Sequence, residues 1–156
     1  KGTLQDIPPA DRASGFCSDL HFSSRSIRMI RVLLEKEERT EGILSKKGGP
    51  SLLDIHRFCD EAAEYVPEAL MLSLSRSLTR EFPPRQVAAQ VWEYYRSVYQ
   101  EHKKSPLISG KDVISALGGA EGPQVGRWLR AVEEARAQGV IQTRNEAMEF
   151  LRRTVR

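Results

Sequence analysis

Cysteine is scarce in this sequence: Cys17 and Cys59 are the two present among 156 residues. Two widely separated thiols exclude a disulfide-dense scaffold and lack metal-ligand spacing, so both are expected as reduced, buried thiols of a cytoplasmic protein. Histidine is equally sparse. His21, His56 and His102 stand apart, and no His-Asp pair occurs. A hydrolytic metal centre needs several such ligands on one ion with a position open for water, so no metal ligand is assigned. There is no phosphate-cradling P-loop, no nucleophile elbow and no cysteine with an evident base, hence no catalytic residue is assigned either. No signal peptide or membrane span is visible. Alternating strand patterns are nearly missing, which leaves an all-α class.

What is present is enough apolar material for a core, 40% of the residues, and a nearly balanced charge. Lys and Arg number 24 against 21 Asp and Glu, giving a net charge of +3 and a pI near 9.0. That balance admits a polyanionic partner without demanding one.

Residues 1–20, with Pro8-Pro9, Gly15 and no sustained periodicity, read as an irregular arm or a linker from an upstream domain. The opening Lys in place of Met fits a segment of something longer. From His21 to Thr40 a helix is expected, capped by Ser23 or Ser24, with Ile27, Ile30 and Leu34 facing the core. Its opposite side carries Arg25, Arg28, Lys36 and Arg39, a stripe suited to a phosphate backbone, although Glu35, Glu37 and Glu38 also suit an ordinary solvated face. Glu41 to Pro50, with Lys46-Lys47-Gly48-Gly49, reads as a flexible connection. Ser51 and Asp54 form a capping box before a helix burying Leu52, Leu53, Ile55, Phe58 and Cys59. The helix after Pro67, with Leu70, Met71, Leu72, Leu74 and Leu78, is apolar nearly all round and is expected to be the most buried. Pro83-Pro84 breaks the chain. A long helix, Arg85 to Lys103, then carries Val87, Val91, Tyr95 and Val98 on one stripe. Core packing is expected of Trp92 and Tyr95, while Tyr94 and Tyr99 stay open between packing and stacking on unpaired bases. Residues 21–104 form the helical body in this reading.

Residues 105–156 read as a three-helix unit with both ends of each helix written in the sequence. Ser109 with Asp112, and Thr143 with Glu146, are capping boxes. Pro123 suits a first helical position, and Gly118 and Gly139 suit left-handed helix ends. Val125, Trp128, Leu129 and Val132 make one apolar stripe flanked by Arg127 and Arg130. The turn Gly118 to Pro123 leads to a helix start, whose unpaired amides favour an anion; Gly126 either lets another backbone approach or permits close helix packing.

The run Pro106 to Asp112, then Leu117-Gly118, Gly122-Pro123, Val125-Gly126, Gly139 to Arg144 and Glu146-Ala147, closely resembles the C-terminal helical region of bacterial tRNA nucleotidyltransferases and poly(A) polymerases. In that family a catalytic head precedes helical neck, body and tail regions that hold the tRNA. The resemblance implies that this chain is the rear, RNA-holding part, and that magnesium and nucleoside triphosphate are bound by a head outside it, with no cofactor of its own. The residues expected to touch RNA are Lys111, Gly122, Gly126, Arg127, Arg130, Arg144, Arg25 and Arg28. One departure stands at the loop before Gly122-Pro123, where Ala120 and Glu121 replace the usual lysine and proline.

The sequence thus specifies an all-α bundle of about seven helices ending in a three-helix unit, with tRNA or another RNA as partner and no membrane. The competing class is a helical protein-interaction or structural module without RNA binding. The family's catalytic carboxylates follow a Gly-Ser pair as Asp-x-Asp, and neither occurs here. The purified chain should therefore incorporate no nucleotide into tRNA with any triphosphate and metal supplied. Measurable incorporation would contradict this.

Overall fold

The three-helix end folds as its caps dictate. In a computed structural model, which describes residues 7–77, 85–119 and 122–154, helix α8 spans Gly110–Leu117, α9 Gly122–Ala137 and α10 Arg144–Thr154. The Asp112 amide donates to Ser109 Oγ at 3.3 Å, and the Ser109 amide donates to Asp112 Oδ2 at 2.8 Å, closing the box in both directions. The Thr143 amide likewise donates to Glu146 Oε2 at 3.0 Å, and the Glu146 amide to Thr143 Oγ1 at 3.3 Å. At the other ends Gly118 takes φ 65° and Gly139 φ 73°, a region costly for any residue with a Cβ. Ile108, Val113, Val125, Val132, Ala135, Ile141, Ala147 and Leu151 meet in one buried cluster, with Trp128, Leu129 and Phe150 packed partly against it. Each fully buried Val or Leu there contributes about 1.5–3 kcal/mol.

The earlier helices are α1 Pro9–Asp19, α2 Ser24–Glu35, α3 Glu37–Leu44, α4 Leu52–Ala62, α5 Val66–Ser77, α6 Arg85–Tyr94 and α7 Gln100–Lys104. A single 3₁₀ turn, Ala63–Tyr65, joins α4 to α5, and a π-helical turn, Tyr95–Tyr99, joins α6 to α7. Every regular element among the described residues is helical, and no helix among them is long and apolar enough to cross a membrane. The chain divides into two compact units, Lys1–Pro50 with Phe58–Trp92, and Ser51–Arg57 with Glu93–Arg156. The sequence reading places its divides after residues 20 and 104.

Several local expectations give way to packing. Pro9–Asp19, read as irregular, is helix α1: Pro9 sits in its first turn without needing an amide partner. The helix buries only the small Ala10 and Cys17, so no apolar stripe betrays it, and its Asp11 accepts from Arg31 Nη2 of α2 at 2.5 Å. The helix expected over 21–40 is two helices hinged at Lys36, and α3 runs on into the supposed flexible connection as far as Leu44. Ser23 caps α2 as expected, accepting from the Ser26 amide at 3.1 Å. No residue of α2 is fully buried; Ile27, Ile30 and Leu34 are half-buried. In α4, Ile55, Phe58 and Cys59 are buried as expected, but Leu52 is exposed. Both thiols are buried and free, and desolvation pushes the Cys59 thiol up to about 12. In α5, Met71 is 71% exposed, which contradicts its placement in the core. Leu78, Pro83-Pro84 and the Ala120-Glu121 pair lie outside the described residues.

Asp112 yields a measurable consequence. Its carboxyl is held down to about 2, below an ordinary 3.8, first by the Ser109 amide, then by the Ser109 hydroxyl and Arg144. A depressed folded value stabilises fully above the unfolded value, and that contribution disappears as pH falls through the folded one. Thermal midpoints should therefore drop between about pH 4 and pH 2, and Asp112→Asn should flatten this part of the profile. An unchanged slope would contradict the assignment.

Candidate RNA-contacting face

Burial of Val125 and Val132 fixes how α9 is rotated, because residues seven apart lie on one side of a helix. Gly122, Gly126 and Arg130 consequently fall on an exposed line, with Arg127 beside it. No acidic residue occurs between Gly122 and Val132, and the first turn of α9 carries none. First turns commonly hold Asp or Glu against the helix dipole; here the acid nearest the start is Glu121, immediately before Gly122. A Cβ built on Gly126 meets nothing within 4 Å. Among the described residues, therefore, close helix packing does not account for this glycine, and the position is exposed.

The acids further along α9 are matched inside the second unit. Arg57 Nε and Nη2 donate to the two carboxylate oxygens of Glu134 at 2.9 and 2.8 Å, and this contact lowers the Glu134 pKa. Glu133 Oε2 lies 3.8 Å from Arg136 Nη1 and 3.9 Å from His102 Nδ1. Burial, then Arg136 and His56, push the His102 pKa below its ordinary value, so near neutral pH the second contact is not an ion pair.

The eight residues expected to touch RNA are all exposed but belong to different units. Arg25 and Arg28 are on α2 of the first unit. Their expected companions Lys36 and Arg39 both face Glu61, at 3.8 and 2.9 Å, which neutralises that end of the basic stripe. Lys111, Gly122, Gly126, Arg127, Arg130 and Arg144 are in the second unit. Arg144 is engaged within the fold: its Nη2 donates to Asp112 Oδ1 at 2.5 Å and ties the start of α10 to the start of α8.

The aromatic residues rearrange most. Trp92, expected in the core, is 41% exposed, whereas Tyr94 and Tyr99 are buried together with Tyr95. Tyr94 and Tyr95 follow the fully buried Val91 at three and four residues' distance and Tyr99 at eight, so they share its inward face while Trp92 falls off it. A single π-helical turn, in which the Gln100 amide reaches back to the Tyr95 carbonyl, lies within this run. Tyr94 Oη hydrogen-bonds His56 Nδ1 at 3.0 Å, Tyr95 stacks on Tyr99 at 5.8 Å, and Lys103 Nζ sits 5.3 Å from the Tyr99 ring centre. These tyrosines are packing residues. Sequence reasoning missed Trp128 as a surface feature: it lines an open depression of about 550 Å³ with Gln124, Arg127 and Ala131. The polar and small neighbours at three and four residues' distance were the available signal.

Among the described residues no three His, Cys, Asp or Glu come together as a cation site.

No family model and no solved structure matches the chain. Curated relatives do. The chain is 35% identical over 101 residues to a CC-adding tRNA nucleotidyltransferase of Thermus thermophilus, covering 62% of this chain and 22% of that protein. It is 34% identical over 104 residues to an A-adding tRNA nucleotidyltransferase of Deinococcus radiodurans, covering 62% of this chain and 24% of the relative. A CC-adding tRNA nucleotidyltransferase of Synechocystis sp. is 22% identical over 142 residues, 88% of this chain and 32% of the relative. The chain thus spans roughly a quarter to a third of the length of the relatives it matches, and its curated homologues are tRNA nucleotidyltransferases, the family that the motifs from Pro106 to Ala147 resemble.

Proposed function

We infer that this chain is the RNA-holding part of a tRNA nucleotidyltransferase or poly(A) polymerase type protein, gripping tRNA while carboxylates outside the described residues add nucleotides to the 3′ end. The observation that carries the reading is the homology to CC-adding and A-adding enzymes over 62% of the chain. The exposed face of α9 from Gly122 to Arg130, which carries Arg127 and Arg130 and no acid, supports it. Arg127 and Arg130 offer long-range attraction, the bare backbone at Gly126 offers close approach, and Lys111 and Gly122 extend the same kind of surface. Arg25 and Arg28 would add a second basic contact from the first unit. The ligand and the buried reduced thiols suit the cytoplasm.

One observation favours the competing reading of a protein-interaction module. A groove of about 400 Å³ in the first unit is lined by Pro67, Leu70, Met71, Leu74, Arg85, Ala88, Ala89 and Trp92, an almost wholly apolar surface.

Salt and charge reversal separate the two. If about three phosphates are contacted, the logarithm of the tRNA affinity should fall with the logarithm of salt at a slope near −3. Arg127→Glu with Arg130→Glu should abolish most of the affinity at unchanged helix content, whereas Arg144→Glu should chiefly lower the thermal midpoint by removing the partner of Asp112. Gly126→Ala should stabilise the chain by up to about 1 kcal/mol, since the methyl meets nothing, yet weaken tRNA binding. Equal loss from any surface charge reversal, with heparin bound as well as tRNA, would favour the interaction module.

A further inference from the structure

We propose that the depression on α9 is a seat for an unpaired RNA base, which stacks on the Trp128 indole while its phosphate lies against Arg127. This rests on the RNA-holding reading and specifies what part of the RNA is held. Gln124, Arg127, Trp128 and Ala131 are spaced i, i+3, i+4 and i+7, so they form one stripe along the helix. About 550 Å³ of open space lies over this stripe, room enough for a base to reach the indole face.

Trp128 is built as a platform. Part of the indole packs on the core made by Val125, Val132 and their partners, which limits its motion, and the remainder lines the depression. A ring immobilised before binding loses little freedom when a base covers it. Ala131 leaves room above the next turn, and the Gln124 amide offers both a donor and an acceptor to a base edge. The lining suits a nucleotide in charge as well, since Arg127 stands in it and none of its four residues is acidic. A base inside a duplex presents its edge, not its face, so the seat selects a loop, a bulge or an end. The tyrosines of the second unit cannot play this part, being buried.

The test uses the full chain carrying Trp92→Phe, which leaves Trp128 as the only tryptophan. It is titrated with tRNA, with an RNA stem-loop having an unpaired loop, and with a blunt duplex of equal length, following both tryptophan fluorescence and affinity. Quenching is expected with tRNA and the stem-loop but not with the duplex. Trp128→Leu, in the same chain with Trp92 restored, should weaken stem-loop binding about ten-fold, and Trp128→Phe should recover part of the loss. Circular dichroism checks that each variant folds. Where Leu does not fold, the quenching contrast and the Phe variant decide. Binding of all three RNAs without quenching, or equal quenching by the duplex, overturns the base seat while leaving the RNA-holding reading intact. No binding of any RNA overturns both.

Discussion

The rotation of α9 is the constraint on which the functional surface depends. Val125 and Val132 are buried because they complete a cluster with Val113, Ala147 and Leu151, and these are branched or small side chains with little tolerance for shifts in register. Once they point inward, Gly126, Arg127 and Arg130 have no choice but to point outward, and Trp128 is left at the boundary. A change in the core of the unit would therefore alter a surface it never reaches. The apparent specificity of the exposed face is inherited from packing.

Asp112 fixes the same unit at its ends. One carboxylate oxygen receives the Ser109 amide and hydroxyl, and the other receives Arg144, so a single side chain caps α8 and positions the start of α10. This divides the basic residues into two kinds. Arg144 has its charge met within the fold, while Arg127 lines an open depression. Charge counting along a sequence cannot make that distinction, because Asp112 and Arg144 are 32 positions apart.

What the sequence made legible was chemistry that acts over three or four residues. The boxes at Ser51, Ser109 and Thr143, the left-handed glycines 118 and 139, and the stripe from Val125 to Val132 all stand where local rules put them. Legibility failed where residue type or a small side chain hid the buried face. Tyr94 and Tyr99 turn inward with Val91 and Tyr95 at ordinary helical spacing, a wider face than the stripe of Val87, Val91, Tyr95 and Val98. Helix α1 hid because Ala10 and Cys17 bury too little to show as a stripe. Met71 and Trp92 looked like core by residue type alone, and they line an apolar groove instead. Of the candidate site, the positions on α9 were readable, but the surroundings of Gly126 were not: the structure shows that no described element occupies the space beside it.

The central claim is that this chain holds RNA through the exposed start of α9. Following the backbone amide resonances of the isotope-labelled chain during titration with tRNA tests it directly. The account predicts shifts concentrated on Gly122, Gly126, Arg127, Trp128 and Arg130, with the amides of the apolar groove around Met71 unmoved. Shifts confined to that groove, or no shift at any tRNA concentration, would contradict it.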